Sequence, residues 1–138
     1  MAEKYMERYN SFCKSLASLE KARGRDLTDE FVISGTINKF SLTFDISWKV
    51  MKDIIIKYHQ ILDIAAGSPR ENLRAASSVQ LISDDAWMEM LRDRNELTHD
   101  YDGEMAKIKV SVIIEKYIPL FEEFRDKAGE YMRKMGKQ

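Results

Sequence analysis

Cysteine, histidine and glycine are all scarce in this chain, and each scarcity closes off a class of function. One cysteine, Cys13, in 138 residues permits no internal disulfide and suits a reducing compartment. Two histidines, His59 and His99, lie too far from that cysteine in sequence to suggest a structural zinc site. Glu96-Leu97-Thr98-His99 matches the Glu-x-x-His half-site of di-iron bundles. The chemistry needs a second copy, and His59 has Ile56 three residues before it, so the di-metal reading fails. Six scattered glycines form no phosphate-cradling loop. No apolar run approaches the roughly 18 residues of a membrane-spanning helix. With charge from Glu3 onward and no visible signal peptide, the expectation is a cytoplasmic protein with no metal and no cofactor. Neither sign of charge dominates, at 22 basic against 23 acidic residues. Any attraction for a polyanion must therefore be local.

What the chain does have is apolar periodicity. An apolar content of 44% with 33% charge fits one globular domain over residues 1–138. Tyr5, Tyr9, Phe12, Leu16 and Leu19 recur at helical spacing and predict a first helix ending near Gly24. A long second helix, capped by Thr28 or Asp29, carries two stripes. One is Ile37, Phe40, Phe44, Trp48, Met51 and Ile55; the other is Ile46, Val50 and Ile54. Two apolar faces predict a central helix touching several neighbours. Ser68-Pro69-Arg70-Glu71 opens a short third helix reaching about Ser77. Ser83-Asp84-Asp85 opens a fourth, and Asp102-Gly103 breaks it off. The last helix shows Val110, Ile114, Tyr117, Phe121, Phe124, Ala128, Tyr131 and Met135 in one stripe, with a kink expected at Pro119. The fold class is all-α: an antiparallel up-and-down bundle of four long helices and one short one. Trp48 and Trp87 stand at core spacing, Cys13 reads as a packed thiol, and His59 as an edge residue with its ring partly buried.

The fourth helix ends in Arg92-Asp93-Arg94-Asn95-Glu96-Leu97-Thr98-His99-Asp100-Tyr101. Trp87, Leu91 and Arg94 are spaced i, i+4, i+7, which puts the guanidinium on or beside the buried face. A charge there needs a partner or a solvent-filled cleft. His99 transfers protons near neutral pH, Arg94 is a fixed cation, and Asn95 can orient either the imidazole or a phosphate. That set suits metal-independent cleavage of RNA, in which a 2′-hydroxyl attacks the adjacent phosphorus. The same spacing suits a plain interhelical ion pair at Arg94 with a helix-end histidine. Asp93, Glu96, Asp100 and Asp102 outnumber Arg92 and Arg94, which weighs toward the second reading.

Arg94-Asn95-Glu96-Leu97-Thr98-His99-Asp100-Tyr101 resembles the Arg-Asn-three-residues-His-x-Tyr signature of the HEPN superfamily. Residues Phe40-Ser41-Leu42-Thr43-Phe44-Asp45-Ile46-Ser47-Trp48-Lys49 resemble its branch of nucleotidyltransferase substrate-binding proteins. So do Ser68-Pro69-Arg70-Glu71 and Tyr117-Ile118-Pro119-Leu120-Phe121-Glu122-Glu123. Ser41 stands where branch members commonly carry a glutamate. The resemblance implies a five-helix bundle that pairs as a homodimer, or as a heterotetramer with a separately encoded minimal nucleotidyltransferase. It implies a toxin-antitoxin module in which an endoribonuclease, using Arg94 and His99 on RNA with Asn95 in support, is neutralised by nucleotide transfer to Tyr101. The alternative it leaves open is a non-catalytic subunit that binds substrate for the nucleotidyltransferase.

Overall fold

The computed structural model describes residues 3–64, 67–99 and 101–137, and among them every regular element is helical. The helices are α1 (Lys4–Glu20), α2 (Glu30–Lys57), α3 (Pro69–Ser78), α4 (Asp84–Leu97), α5 (Gly103–Val112) and α6 (Ile118–Gly136). A π-helical turn, Ile113–Tyr117, joins α5 to α6 in one continuous rod, so five helical rods make the bundle.

Local chemistry sets the boundaries. Gly24 takes a φ of +81° in the turn after α1, a conformation cheap only for glycine. Asp29, not Thr28, caps α2, accepting from the backbone N–H groups of Phe31 and Val32. Ser68 accepts from the Glu71 N–H at 3.2 Å ahead of Pro69. Asp102 accepts from the Met105 N–H at 2.8 Å, so the Asp-Gly pair starts α5, whereas α4 has already ended at Leu97.

Side-chain pairs give the topology. Arg8 reaches Asp53 and Ser15 meets Thr43, so α1 and α2 run antiparallel. Tyr9 donates to the Arg125 carbonyl while Phe12 packs on Phe121, so α1 and α6 do likewise. Helix α2 touches α1, α3, α4, α5 and α6, as its two stripes predict. Phe12, Phe40, Phe44, Trp87, Tyr117, Phe121 and Phe124 form the aromatic centre, mostly in edge-to-face and tilted pairs.

Two expectations change. Near Pro119 the helix accommodates the proline through the π turn, with the Ile118 N–H bonded to the Ile113 carbonyl. The wider turn takes up the ring and the missing donor. It also shifts the stripe, so that Ile113 is buried and Ile114 only partly. Trp87 is buried, whereas Trp48 is partly buried, packed against the core while lining a surface hollow beside α4.

Candidate functional site

Helix α4 buries Trp87, Met90, Leu91 and Leu97. The charged residue buried with them is Asp93, 5% exposed, and not Arg94. Asp93 follows Met90 by three residues and precedes Leu97 by four, so it occupies the middle of the inward stripe. Its carboxylate accepts from Lys109 Nζ at 2.6 Å and from the Tyr117 hydroxyl. Burial, then the hydrogen bond to Asp93, push the Tyr117 phenol well above its ordinary value. Lys109 comes from α5 and Tyr117 from the π turn, so one carboxylate ties α4 to the rod behind it.

Arg94 stands at the edge of that stripe with its side chain 25% exposed, beside the buried face and not on it. Its fork makes two hydrogen bonds to Asp45 of α2, Nε at 3.1 Å and Nη2 at 2.8 Å. A bidentate guanidinium–carboxylate pair is among the stronger and more directional polar contacts. This is the interhelical ion pair that the spacing left open.

Asn95 and His99 are exposed at the C-terminal end of α4. Thr98 caps that end, its hydroxyl donating to the Asn95 carbonyl at 2.7 Å. His99 lies in an open hollow of about 320 Å³ with Asn95, Glu96, Arg92 and Arg70. Arg94 lines an adjoining hollow of about 220 Å³ with Asp45, Trp48, Lys49 and Asn95. Within one chain, then, Arg94 and His99 flank Asn95 from two neighbouring hollows. The guanidinium groups that share the imidazole's hollow are Arg92 and Arg70, the latter carried in by the start of α3.

The local charge also differs from its sequence census. Asp93 faces inward and is neutralised by Lys109, Asp102 is occupied in capping α5, and Asp100 lies outside the described residues. Tyr101 falls between α4 and α5, partly buried against the core.

Three participants escaped the sequence: Asp45, Asp93 and Arg70. The Met90–Asp93–Leu97 spacing was the available signal for Asp93. Nothing local pointed to Asp45 or Arg70, since each acquires its place from a different helix. Elsewhere, burial pushes the Cys13 thiol up from its ordinary value, which suits packing and not nucleophilic attack. His59 packs edge-on between Tyr58 and Tyr131. Among the described residues no cluster of three or more His, Cys, Asp or Glu is placed to hold a metal ion. Among the described residues no helix is long and apolar enough to cross a membrane.

A family model described as "nucleotidyltransferase substrate binding protein like" matches residues 7–130. No curated protein sequence gives a significant match.

Proposed function

The chain belongs to the nucleotidyltransferase substrate binding protein-like family, a HEPN-like helical family, and from that premise we propose that it is the helical subunit of a module whose other member is a nucleotidyltransferase. In this reading the end of α4 handles the phosphodiester backbone of RNA. One observation carries it. An exposed imidazole, His99, shares a hollow with two guanidinium groups, Arg70 and Arg92, on a molecule of net charge −1.

The chemistry needs no metal. A 2′-hydroxyl attacks the adjacent phosphorus and gives its proton to His99. The bond to the 5′-oxygen breaks, and that oxygen takes a proton from a second acid. A homodimer would supply the acid as the other copy's His99. The guanidinium groups neutralise charge building on the phosphoryl oxygens. Arg94, held by Asp45 at the edge of the same surface, is the fixed cation facing the shared cleft. The partner would switch the site off through Tyr101, whose phenolic oxygen attacks the α-phosphorus of a nucleoside triphosphate and releases pyrophosphate. The added phosphate would then occupy the cations and repel RNA.

A second reading is favoured by the Arg94–Asp45 pair. With its fork occupied, Arg94 is an interhelical tie, and the chain presents substrate to the nucleotidyltransferase without cleaving anything.

Single variants separate the two. His99→Ala should abolish RNA cleavage with the thermal midpoint unchanged, because the side chain is exposed. Arg94→Ala should abolish it too, whereas Asp45→Asn, which frees the guanidinium, should keep it. Cleavage that stops with EDTA overturns the mechanism. A wild-type dimer that cuts no RNA leaves the binding subunit as the function. For Tyr101, incubation with the partner, magnesium and ATP should add mass to its peptide, and Tyr101→Phe should escape both modification and inhibition.

A further inference from the structure

We propose that the groove between the end of α1 and the start of α2 is a docking site for a segment of another protein, one carrying a large apolar side chain flanked by carboxylates. The groove has a volume of about 220 Å³. Leu19, Val32 and the ring of Phe31 make its apolar lining, and Lys21, Arg25 and Lys39 stand around it. No carboxylate lines it, and none of those three cations makes an ion pair among the described residues.

Two further observations point to an occupant. Phe31 is 89% exposed, although it sits in the first turn of α2 with its N–H held by the Asp29 cap at 2.8 Å. It is an aromatic ring on a fixed base, not the tip of a loose loop, and such a ring in water is an anchor without a partner. Gly35, one turn further on, also lines the groove. Glycine inside a helix costs stability, and it is usually kept where something approaches the backbone closely. Among the described residues nothing does so, because a Cβ at Gly35 would meet no atom within 4 Å. The bare helix wall therefore serves an approach from outside.

The surroundings select the class of partner. Cations around an apolar slot complement carboxylates around an apolar side chain. RNA would use the cations but gain nothing from Leu19 and Val32. The groove also leaves the end of α4 free. Gly35 precedes Asp45 by ten residues, which is about 15 Å of helix. A partner anchored here would hold its remaining bulk close to His99 and Tyr101 without covering them.

The test uses the full chain and a fluorescein-labelled, helix-forming peptide with leucine and phenylalanine one turn apart among glutamates. Anisotropy should show saturable binding that weakens as salt rises. Phe31→Ala and Gly35→Leu should each weaken it about tenfold or more, the first by removing the anchor and the second by filling the slot. Neither change touches the core, and thermal melts should show both variants folded. A peptide with lysines for the glutamates should not bind. The proposal is overturned if the acidic peptide fails to bind the wild type, or binds both variants equally. It is overturned as well if the lysine peptide binds as tightly. Phosphatidylserine vesicles captured in place of the peptide would assign the groove to a lipid surface. A dimer that Gly35→Leu converts to monomer would assign it to a second copy of this chain. Either result would also sink the proposal.

Discussion

Asp93 and Asp53 are both partly or wholly withdrawn from water, yet they place opposite demands on the fold. Asp93 is fully engaged by Lys109 and Tyr117. Removing it strands a buried phenol and an ammonium, so Asp93→Ala should cost about 3–5 kcal/mol in urea unfolding. Tyr117→Phe removes only one donor and should cost about 1–2 kcal/mol. Asp53 is half satisfied: Oδ1 accepts from Arg8 at 3.0 Å while Oδ2 is buried without a partner. Burial raises its carboxyl above the ordinary value despite the cations around it. A raised folded value means that Asp53 favours the fold at pH below its unfolded value, and that this contribution disappears as pH rises through the folded one. Asp53→Asn should therefore raise the melting temperature at pH 7 and leave it unchanged near pH 3, where the wild-type acid is also neutral. Residue spacing made Asp93 discoverable as an inward carboxylate. The proton donors that make it tolerable come from 16 and 24 residues further on, where no local pattern could announce them.

Among the elements, the glycines separate a helix wall that no described residue of the fold approaches from one that a neighbouring helix does. Gly35→Ala in α2 should stabilise the protein by about 0.5–1 kcal/mol, since its Cβ has open space. Gly129→Ala in α6 should do the reverse, because a Cβ there would stand 2.7 Å from the Tyr9 hydroxyl. Tyr9 would have to leave the Arg125 carbonyl that fastens α1 to α6. Thermal melts of the two variants should move in opposite directions. The turn after α1 is clasped to the same stretch of α6 by Arg23 and Glu122, joined through two hydrogen bonds of 2.9 Å. The hydrogen bond from Arg23 holds the Glu122 carboxyl down at about 2. A depressed value stabilises the fold above the unfolded value and is lost as pH falls from about 4 through about 2. Arg23 is 42% exposed, so Glu122→Gln should cost less than about 1 kcal/mol, and less again in high salt. Both clasps were invisible to periodicity, which reads the apolar side of a helix and is silent about pairs across two of them. The proline was legible and its effect was not: sequence alone forbids a regular turn at Pro119 but does not choose between a bend and the π turn that forms.

For the whole molecule, apolar spacing carried the architecture. Five rods, a central α2 and the start of α3 at Pro69 follow from periodicity and capping residues. The candidate site was legible as a list of residues and not as a place. Asn95, His99, Arg70 and Arg92 share a hollow only because α3 packs on α4, a tertiary fact that no window of sequence contains. The central position of α2 has a consequence for how the molecule breathes. Amides exchange with deuterium through openings whose free energy tracks local packing. Those between Phe40 and Ile55 sit inside the helix that every other rod touches, and they should exchange only by global unfolding. Among the described residues His99 lies beyond the last turn of α4 with a 3.3 Å backbone bond to Glu96, and the amides of Thr98, His99 and Tyr101 should exchange early. A molecule with that gradient can let His99 and Tyr101 shift while its slowest protons stay where they are.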